Sequence, residues 1–422
     1  MVPACTSKLT LAAVCSGAIP YPDEKLSSRC DGLSLIGFKL GFLRGDILPA
    51  KLRNFSAAFL AALAFCGLLA AGKLMAQATP RESLLVLSKR NHTLSIVDPV
   101  TLKVVASAPV GVDPHEVIAS PDGKAAYVSI YGGGAYHVIN VIDLVGQRTM
   151  PDIDTGALNG PHGLAFVGGK LWFTAEGAKA IARYDPTKNK IDWIMGTGQN
   201  RTHMIYVTPD QKQIYTTNVS SGTVSILEKT VAQMGRPPGP PPGAPGQAQP
   251  GQGQPPPGGP GGPPPGGGGP PRMDWNETVI PVGKGDEGFD VTPDGGELWT
   301  ADAQDGTISI VDLAGKKRIA TVDAKVFGAN RLKFTLDGKL ALISSLGDGD
   351  LVIYDVAARK EFKRVKIGHG AAGILMQPDG ARAYVACTPD NYVAVLDLKT
   401  FELVGKIDAG GEPDGLAWAV RP

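Results

Sequence analysis

Ser120-Pro121-Asp122-Gly123-Lys124-Ala125-Ala126-Tyr127-Val128-Ser129 joins a tight turn to an alternating run of β-formers, and the combination recurs down the chain. Proline presets φ for the first corner of such a turn and Asp-Gly accepts the second, which is hairpin chemistry. The turn returns as Thr208-Pro209-Asp210, Thr292-Pro293-Asp294-Gly295, Leu336-Asp337-Gly338 and Gln377-Pro378-Asp379-Gly380. Strands such as Ile214-Tyr215-Thr216-Thr217-Asn218 and Ala383-Tyr384-Val385-Ala386 follow it. A third strand then ends in Asp, as in Leu94-Ser95-Ile96-Val97-Asp98 and Ile308-Ser309-Ile310-Val311-Asp312. The unit is roughly 42 residues long and carries four short antiparallel strands, the signature of blades repeated around an axis.

Complete units fall at 113–156, 160–198, 201–283, 285–324, 327–368 and 369–410. The seventh is split: residues 84–111 supply three strands, and Asp414-Gly415-Leu416-Ala417-Trp418-Ala419-Val420 supplies the missing first one. The expected fold is therefore all-β, a seven-bladed β-propeller of four-stranded blades whose ring is closed by the C-terminal strand, leaving no open sheet edge. Tyr215-Thr216-Thr217-Asn218 and Tyr127-Val128-Ser129 closely resemble the name-giving tetrad of the YVTN β-propeller repeat family, which includes YncE-like periplasmic proteins. The resemblance covers the chain after Ala78. It implies the fold, and it also implies single-stranded nucleic-acid binding as one function; propellers as a class host many unrelated activities.

The unit at 201–283 is about twice the standard length because a Pro/Gly/Gln tract at 235–272 interrupts it between its third and fourth strands. Such a composition cannot bury a core, so the tract is expected to be disordered with polyproline-II stretches, either a spacer or a ligand for a Pro-recognition module. The parity of connections puts it on the same face as the Pro-Asp-Gly turns.

Residues 51–78 read as a secretory signal: Lys51 and Arg53 are basic, Phe55 to Ala71 are apolar, and Ala76-Gln77-Ala78 is a small-x-small cleavage site. A periplasmic or secreted protein is expected, with a retained signal anchor as the alternative and no stable membrane insertion after cleavage. Residues 1–50 are expected to be a non-native or disordered extension, with translation starting near Leu48 to Lys51. Four of the five cysteines precede the cleavage site, leaving Cys387 without a disulfide partner. The formal net charge of +1 provides no general attraction to double-stranded nucleic acid or an anionic membrane.

First strands line a propeller's channel, so residues at a shared position in them converge although far apart in sequence. Aligning the entry position of each first strand gives His115, His162, His203, Glu287, Asn330, Ala372 and Asp414. Three of the six histidines thus share one repeat position in three consecutive units, and His369 lies just upstream of it in another. Neutral imidazoles with Glu287 beside them are the donor set of a borderline divalent metal such as Zn, Cu or Fe, so His115, His162, His203 and Glu287 form a candidate metal set. The same residues, with Asn330, Asp414, His369 and Arg201, suit a small ligand or acid–base work. Glu176, Asn218 and Asp302, where second strands end, are expected to face the same mouth and support it. The alternative is that these polar groups only cap the channel, bonded to water and loops.

Trp172 and Trp299 occupy the aromatic position of second strands and read as core between blades, and Cys387 as an inert buried thiol. The chain has no Cys-x-x-Cys-His, phosphate loop, Gly-x-Ser-x-Gly elbow or His-Glu-x-x-His. The leading expectation is an exported, monomeric binding or scaffold protein for a small ligand or a protein partner. A metal-assisted lactonase or lyase at the histidine cluster and a single-stranded nucleic-acid binder are the alternatives.

Overall fold

The computed structural model describes residues 77–231 and 273–422. The readings of the N-terminal extension, the signal and the Pro/Gly tract fall almost wholly outside these residues. In the described residues, 28 strands form seven sheets of four. Blade 1 is the split one, with β1 (Glu82–Ser88), β2 (Thr93–Asp98) and β3 (Lys103–Pro109) completed by β28 (Pro413–Val420). Blade 2 holds β4 (Pro114–Ala119), β5 (Ala125–Ile130), β6 (Val138–Asp143) and β7 (Arg148–Asp154). Blade 3 holds β8 (Pro161–Val167), β9 (Lys170–Ala175), β10 (Ala180–Asp185) and β11 (Lys190–Gly196). Blade 4 holds β12 (Thr202–Val207), β13 (Gln213–Asn218), β14 (Thr223–Val231) and β15 (Met273–Pro281). Blade 5 holds β16 (Asp286–Val291), β17 (Glu297–Asp302), β18 (Thr307–Asp312) and β19 (Lys317–Asp323). Blade 6 holds β20 (Ala329–Phe334), β21 (Leu340–Ser345), β22 (Asp350–Asp355) and β23 (Lys360–Lys366). Blade 7 holds β24 (Ala371–Met376), β25 (Arg382–Cys387), β26 (Tyr392–Asp397) and β27 (Leu403–Ile407).

The burial pattern explains why alternation fades in the middle of each blade. Second and third strands are buried on both faces, as in β17 and β18, because each sheet is sandwiched between two others. Fourth strands face water and read as charged, as in Lys360 to Lys366 of β23. The apolar side chains collect between blades: Leu85, Leu94 and Ile96 of blade 1 pack with Val128, Ile130 and Ile142 of blade 2. Trp299 and Ile310 of blade 5 likewise meet Phe334 and Ile343 of blade 6. Trp172 and Trp299 are fully buried, and so is Cys387, whose thiol burial pushes up to about 11.

Inner strands touch in the order β28, β4, β8, β12, β16, β20, β24 and back to β28, so the ring is closed. Closure rests on the antiparallel pairing of β28 with β1, from Glu82 opposite Val420 to Val86 opposite Leu416.

A β-bulge near the start of every inner strand aims residues at the channel. In β4 the pairing jumps from Pro114 with Ile130 to Val117 with Val128, so His115 and Glu116 oppose Ser129 alone. The jump recurs at Pro161/Leu164, Thr202/Ile205, Ala329/Leu332 and Ala371/Ile374. An extra residue on one strand bends it and redirects its side chains, a device common beside functional sites. A hydroxyl on the second strand then locks the bulge to the next blade. Thr174 Oγ1 accepts the Gly163 amide at 2.9 Å and donates to the His203 carbonyl at 2.5 Å. Ser344 does the same between Arg331 and Ala372, at 3.1 and 2.6 Å.

Candidate functional site at the channel mouth

Because the bulges of three consecutive blades present imidazoles at the same height, His115, His162 and His203 form a row. Ring centroids are 5.0 Å apart between His115 and His162 and 3.9 Å between His162 and His203. Tyr131, the residue after β5, packs edge-on against the first two rings at 4.8 and 5.2 Å. They line a mouth cavity of about 340 Å³ together with Arg201, Glu287, Asn330, Arg331, Lys89 and Asp414.

The three rings are electrostatically unequal. His203 is 2% exposed; its Nδ1 meets Glu176, and its Nε2 lies 3.0 Å from a Glu287 oxygen without hydrogen-bond alignment. Burial alone would lower its pKa, but the carboxylates on both sides win and push it up to about 9. His203 is therefore an imidazolium. Burial raises Glu287 in isolation, yet His203 and Arg201 bring it down to about 2. Glu176 is held by His203, by the Tyr131 hydroxyl at 2.5 Å and by Arg201 Nε at 3.3 Å, and stays below the usual range despite its burial.

His162 is the opposite. Burial, then the charge on His203, pushes its pKa well below the ordinary imidazole value, so the ring is neutral. Its Nδ1 is buried and has no hydrogen-bond partner. His115 is lowered by burial against the pull of Asp414, and its Nε2 sits 3.0 Å from Asp113. Next to His115, Lys89 Nζ pairs with Asp414 at 2.6 Å, and Arg331 reaches across the channel to Glu116.

The cations Lys89, Arg201, Arg331 and His203 are thus each already matched by a carboxylate. Of donors able to share one ion, the compact group is His162, Glu176 and His203, with ligand atoms all within 4.8 Å of one another. The group uses Glu176 where the sequence pointed to Glu287, and it does not include His115.

Three sequence expectations land elsewhere. His369 is 77% exposed, held by Asp390 Oδ1 at 3.0 Å, and does not line the cavity; the inner-strand residue of its blade that does is Ala372. Asn218 and Asp302 are the last residues of β13 and β17, whereas Glu176 follows the last residue of β9. Side chains alternate along a strand, so this one-residue offset turns Asn218 and Asp302 into their own blades. Asn218 Nδ2 donates to Ser225 Oγ at 2.9 Å, and Asp302 accepts from Ser309 and Thr307 at 2.8 and 2.7 Å. The true counterparts of Glu176 include Lys89, Tyr131, Leu346 and Thr388, each following its second strand and lining the cavity.

Arg331 and Glu116 were also missed. They occupy the third position of inner strands, where Gly163, Gly288, Gly373 and Gly415 stand in four other blades. Charged residues at a position held by glycine in four of the other five blades, and by Met204 in the fifth, are the signal that was there to read.

No protein-family model matches the chain, and neither does any curated protein. Solved structures do. A candidate 6-phosphogluconolactonase from Bacteroides uniformis aligns with TM-score 0.60 at 14% identity, over 81% of this chain and 100% of that one. A functionally unknown protein from Desulfotomaculum acetoxidans aligns with TM-score 0.59 at 11% identity, over 81% and 99%. Hydrazine synthase from Kuenenia stuttgartiensis aligns with TM-score 0.56 at 18% identity, over 75% and 92%. Likeness at these identities shows the propeller fold.

Proposed function

We propose that this is an exported propeller of the YVTN-repeat kind that binds a small polar ligand at the channel mouth. The observation that carries the reading is the unpartnered Nδ1 of His162, buried in the mouth beside a charged His203. A buried polar atom without a partner costs about 1–3 kcal/mol, and a ligand hydrogen bond removes that cost. With the wall charges already paired, the ligand class is uncharged or zwitterionic, rich in hydroxyl or amide groups. A cavity of about 340 Å³ suits a molecule the size of a monosaccharide or amino acid. The test is a thermal-shift screen of sugar lactones, sugars and amino acids, repeated with His162→Ala. Stabilisation lost in the variant supports the reading; stabilisation by none of them, or equally in both proteins, sinks it.

Two further readings use the same residues. A borderline divalent ion is favoured by the compact His162, Glu176 and His203 set, and it would take the place of the proton now on His203. Metal analysis of untagged protein checks this. Lactone hydrolysis is the catalytic version: neutral His162 and protonated His203, 3.9 Å apart, are a base and an acid with pKa values driven apart. The similarity to a candidate lactonase supports it at the level of the fold. Single-stranded nucleic acid has the least support, because the paired charges at the mouth leave no cationic track for phosphates there among the described residues.

A further inference from the structure

On the rim of the opposite face, blades 3 and 4 enclose a second groove of about 640 Å³, lined by Trp193, Trp275, Arg183, Lys212, Lys229 and Met273 among others. Trp193 and Trp275 lie 5.3 Å apart at 52°, and Trp193 stands edge-on to the buried Trp172 at 5.4 Å. Three of the chain's five tryptophans are therefore at one place. The fold does not require them. The corresponding groove between blades 5 and 6 is lined by Thr292, Asp294, Ile319, Val356 and Arg359 among others, with no aromatic ring.

The groove is also where the Pro-rich tract leaves and returns. β14 and β15 are nine residues long and stay paired to Val231 opposite Met273. Residues 232–272 connect these two ends, and Met273, Asp274 and Trp275 are groove residues. The connecting 41 residues include Pro237-Pro238-Gly239-Pro240-Pro241-Pro242, Pro255-Pro256-Pro257 and Pro263-Pro264-Pro265. Proline-rich segments dock into aromatic-lined grooves because their preformed extended helix loses little entropy and prolyl rings stack on indole faces.

We propose that the Trp193–Trp275 groove seats this chain's own Pro-rich segment. Tethering at both ends gives a local concentration on the order of millimolar, so even a weak site is filled in cis. Seated there, the segment lies on the face away from the histidine row and leaves the mouth open. This inference does not depend on the reading of the mouth.

The experiment uses the full chain with the photo-cross-linking residue benzoylphenylalanine in place of Lys212, on the groove wall. Illumination followed by mass spectrometry is expected to join this position to peptides between Arg236 and Arg272 of the same polypeptide. The yield should fall at least several-fold in a Trp193→Ala, Trp275→Ala background whose circular dichroism is unchanged. A second measurement covers a variant that fails to fold: replacing Pro237, Pro238 and Pro240 to Pro242 by Ala, outside the blades, should increase acrylamide quenching of the indoles. Cross-links to other molecules only, a yield insensitive to the tryptophans, or quenching unchanged by the Pro→Ala set would each overturn the proposal.

Discussion

Arg331 and Glu116 pair across the central channel, from inner strands on blades 6 and 2, with both side chains almost fully buried. Arg331 Nη1 also donates to the carbonyl of Asn330 at 3.1 Å, and its amide donates to Ser344, so the guanidinium is fixed at its base as well as at its tip. The pair ties opposite sides of the ring together beneath the histidine row.

Removing one member leaves a buried charge without a counter-ion, which typically costs about 3–5 kcal/mol. Arg331→Met and Glu116→Leu should therefore each lower the melting temperature clearly. The double variant Arg331→Met, Glu116→Leu, which deletes both charges and keeps volume, should recover much of the loss. Calorimetry on the four proteins forms a double-mutant cycle; additive losses would show that the two side chains are uncoupled.

The pH dependence of stability follows from groups beside the mouth. Asp286 is fully buried, with Oδ2 accepting the Asn218 amide at 3.0 Å and Oδ1 unpaired; burial pushes its pKa up to about 8. Asp302 is raised by burial to about 6. Unfolded, both ionise near pH 4, at roughly the model-peptide value. Between there and their folded values the native state holds protons that the unfolded chain has released, so stability falls as pH rises through this window. His203 adds the same sign higher up: its contribution is complete below roughly pH 6.5, the unfolded value, and is lost as pH rises through about 9. His162 and His115, lowered by burial, act with the opposite sign and add stability as pH rises to roughly 6.5, the unfolded value, so melting temperature should decline from there toward pH 9. Asp286→Asn, uncharged at every pH, should flatten the part of the decline assigned to Asp286; a variant curve parallel to wild type would contradict the assignment.

Blade number, blade limits and ring closure were legible because each repeat carries its own turn and β-strand signals, and the split unit announces itself by what it lacks. Convergence of His115, His162 and His203 was legible for the same reason: symmetry converts a shared repeat position into a shared place. What symmetry does not encode was missed. Whether a residue faces the channel or its own blade depends on a one-residue phase, and at Asn218 and Asp302 that phase was misread. The pairing of Arg331 with Glu116 joins two units that are not neighbours around the ring, and only the diameter of the ring determines that the two side chains can touch.

Closure gives a direct test of the ring. Truncation before Pro413 removes β28, exposing the backbone edge of β1 and the apolar side chains, Leu85, Leu87 and Val117 among them, that cluster with Ala417 and Ala419. It also deletes Asp414 and strands Lys89. The shortened protein should aggregate on expression or melt far below wild type, checked by size-exclusion chromatography and calorimetry, because an open edge strand is a template for pairing with other chains. A monomeric product with unchanged melting temperature would mean that the ring does not close this way.

The glycines at the third position of the inner strands set how closely blades approach. A Cβ on Gly373 would stand 2.2 Å from the Asp414 carbonyl oxygen, and one on Gly415 would stand 2.3 Å from that of His115. Both obstacles are backbone held in a bulge, so neither can move without shifting the mouth residue it belongs to. Gly373→Ala should cost at least the roughly 1–3 kcal/mol typical of overpacking, and it should weaken the Lys89–Asp414 pair by displacing β28. Gly196, at the end of β11, provides the control, since a Cβ there meets nothing within 4 Å and its φ is not positive. Gly196→Ala should be neutral or stabilise by about 0.4–1 kcal/mol through the unfolded state. Denaturant titrations of the two variants check this: an equal loss at both would mean that contact between blades does not set the cost at Gly373, whereas a loss confined to Gly373 identifies that contact as the constraint.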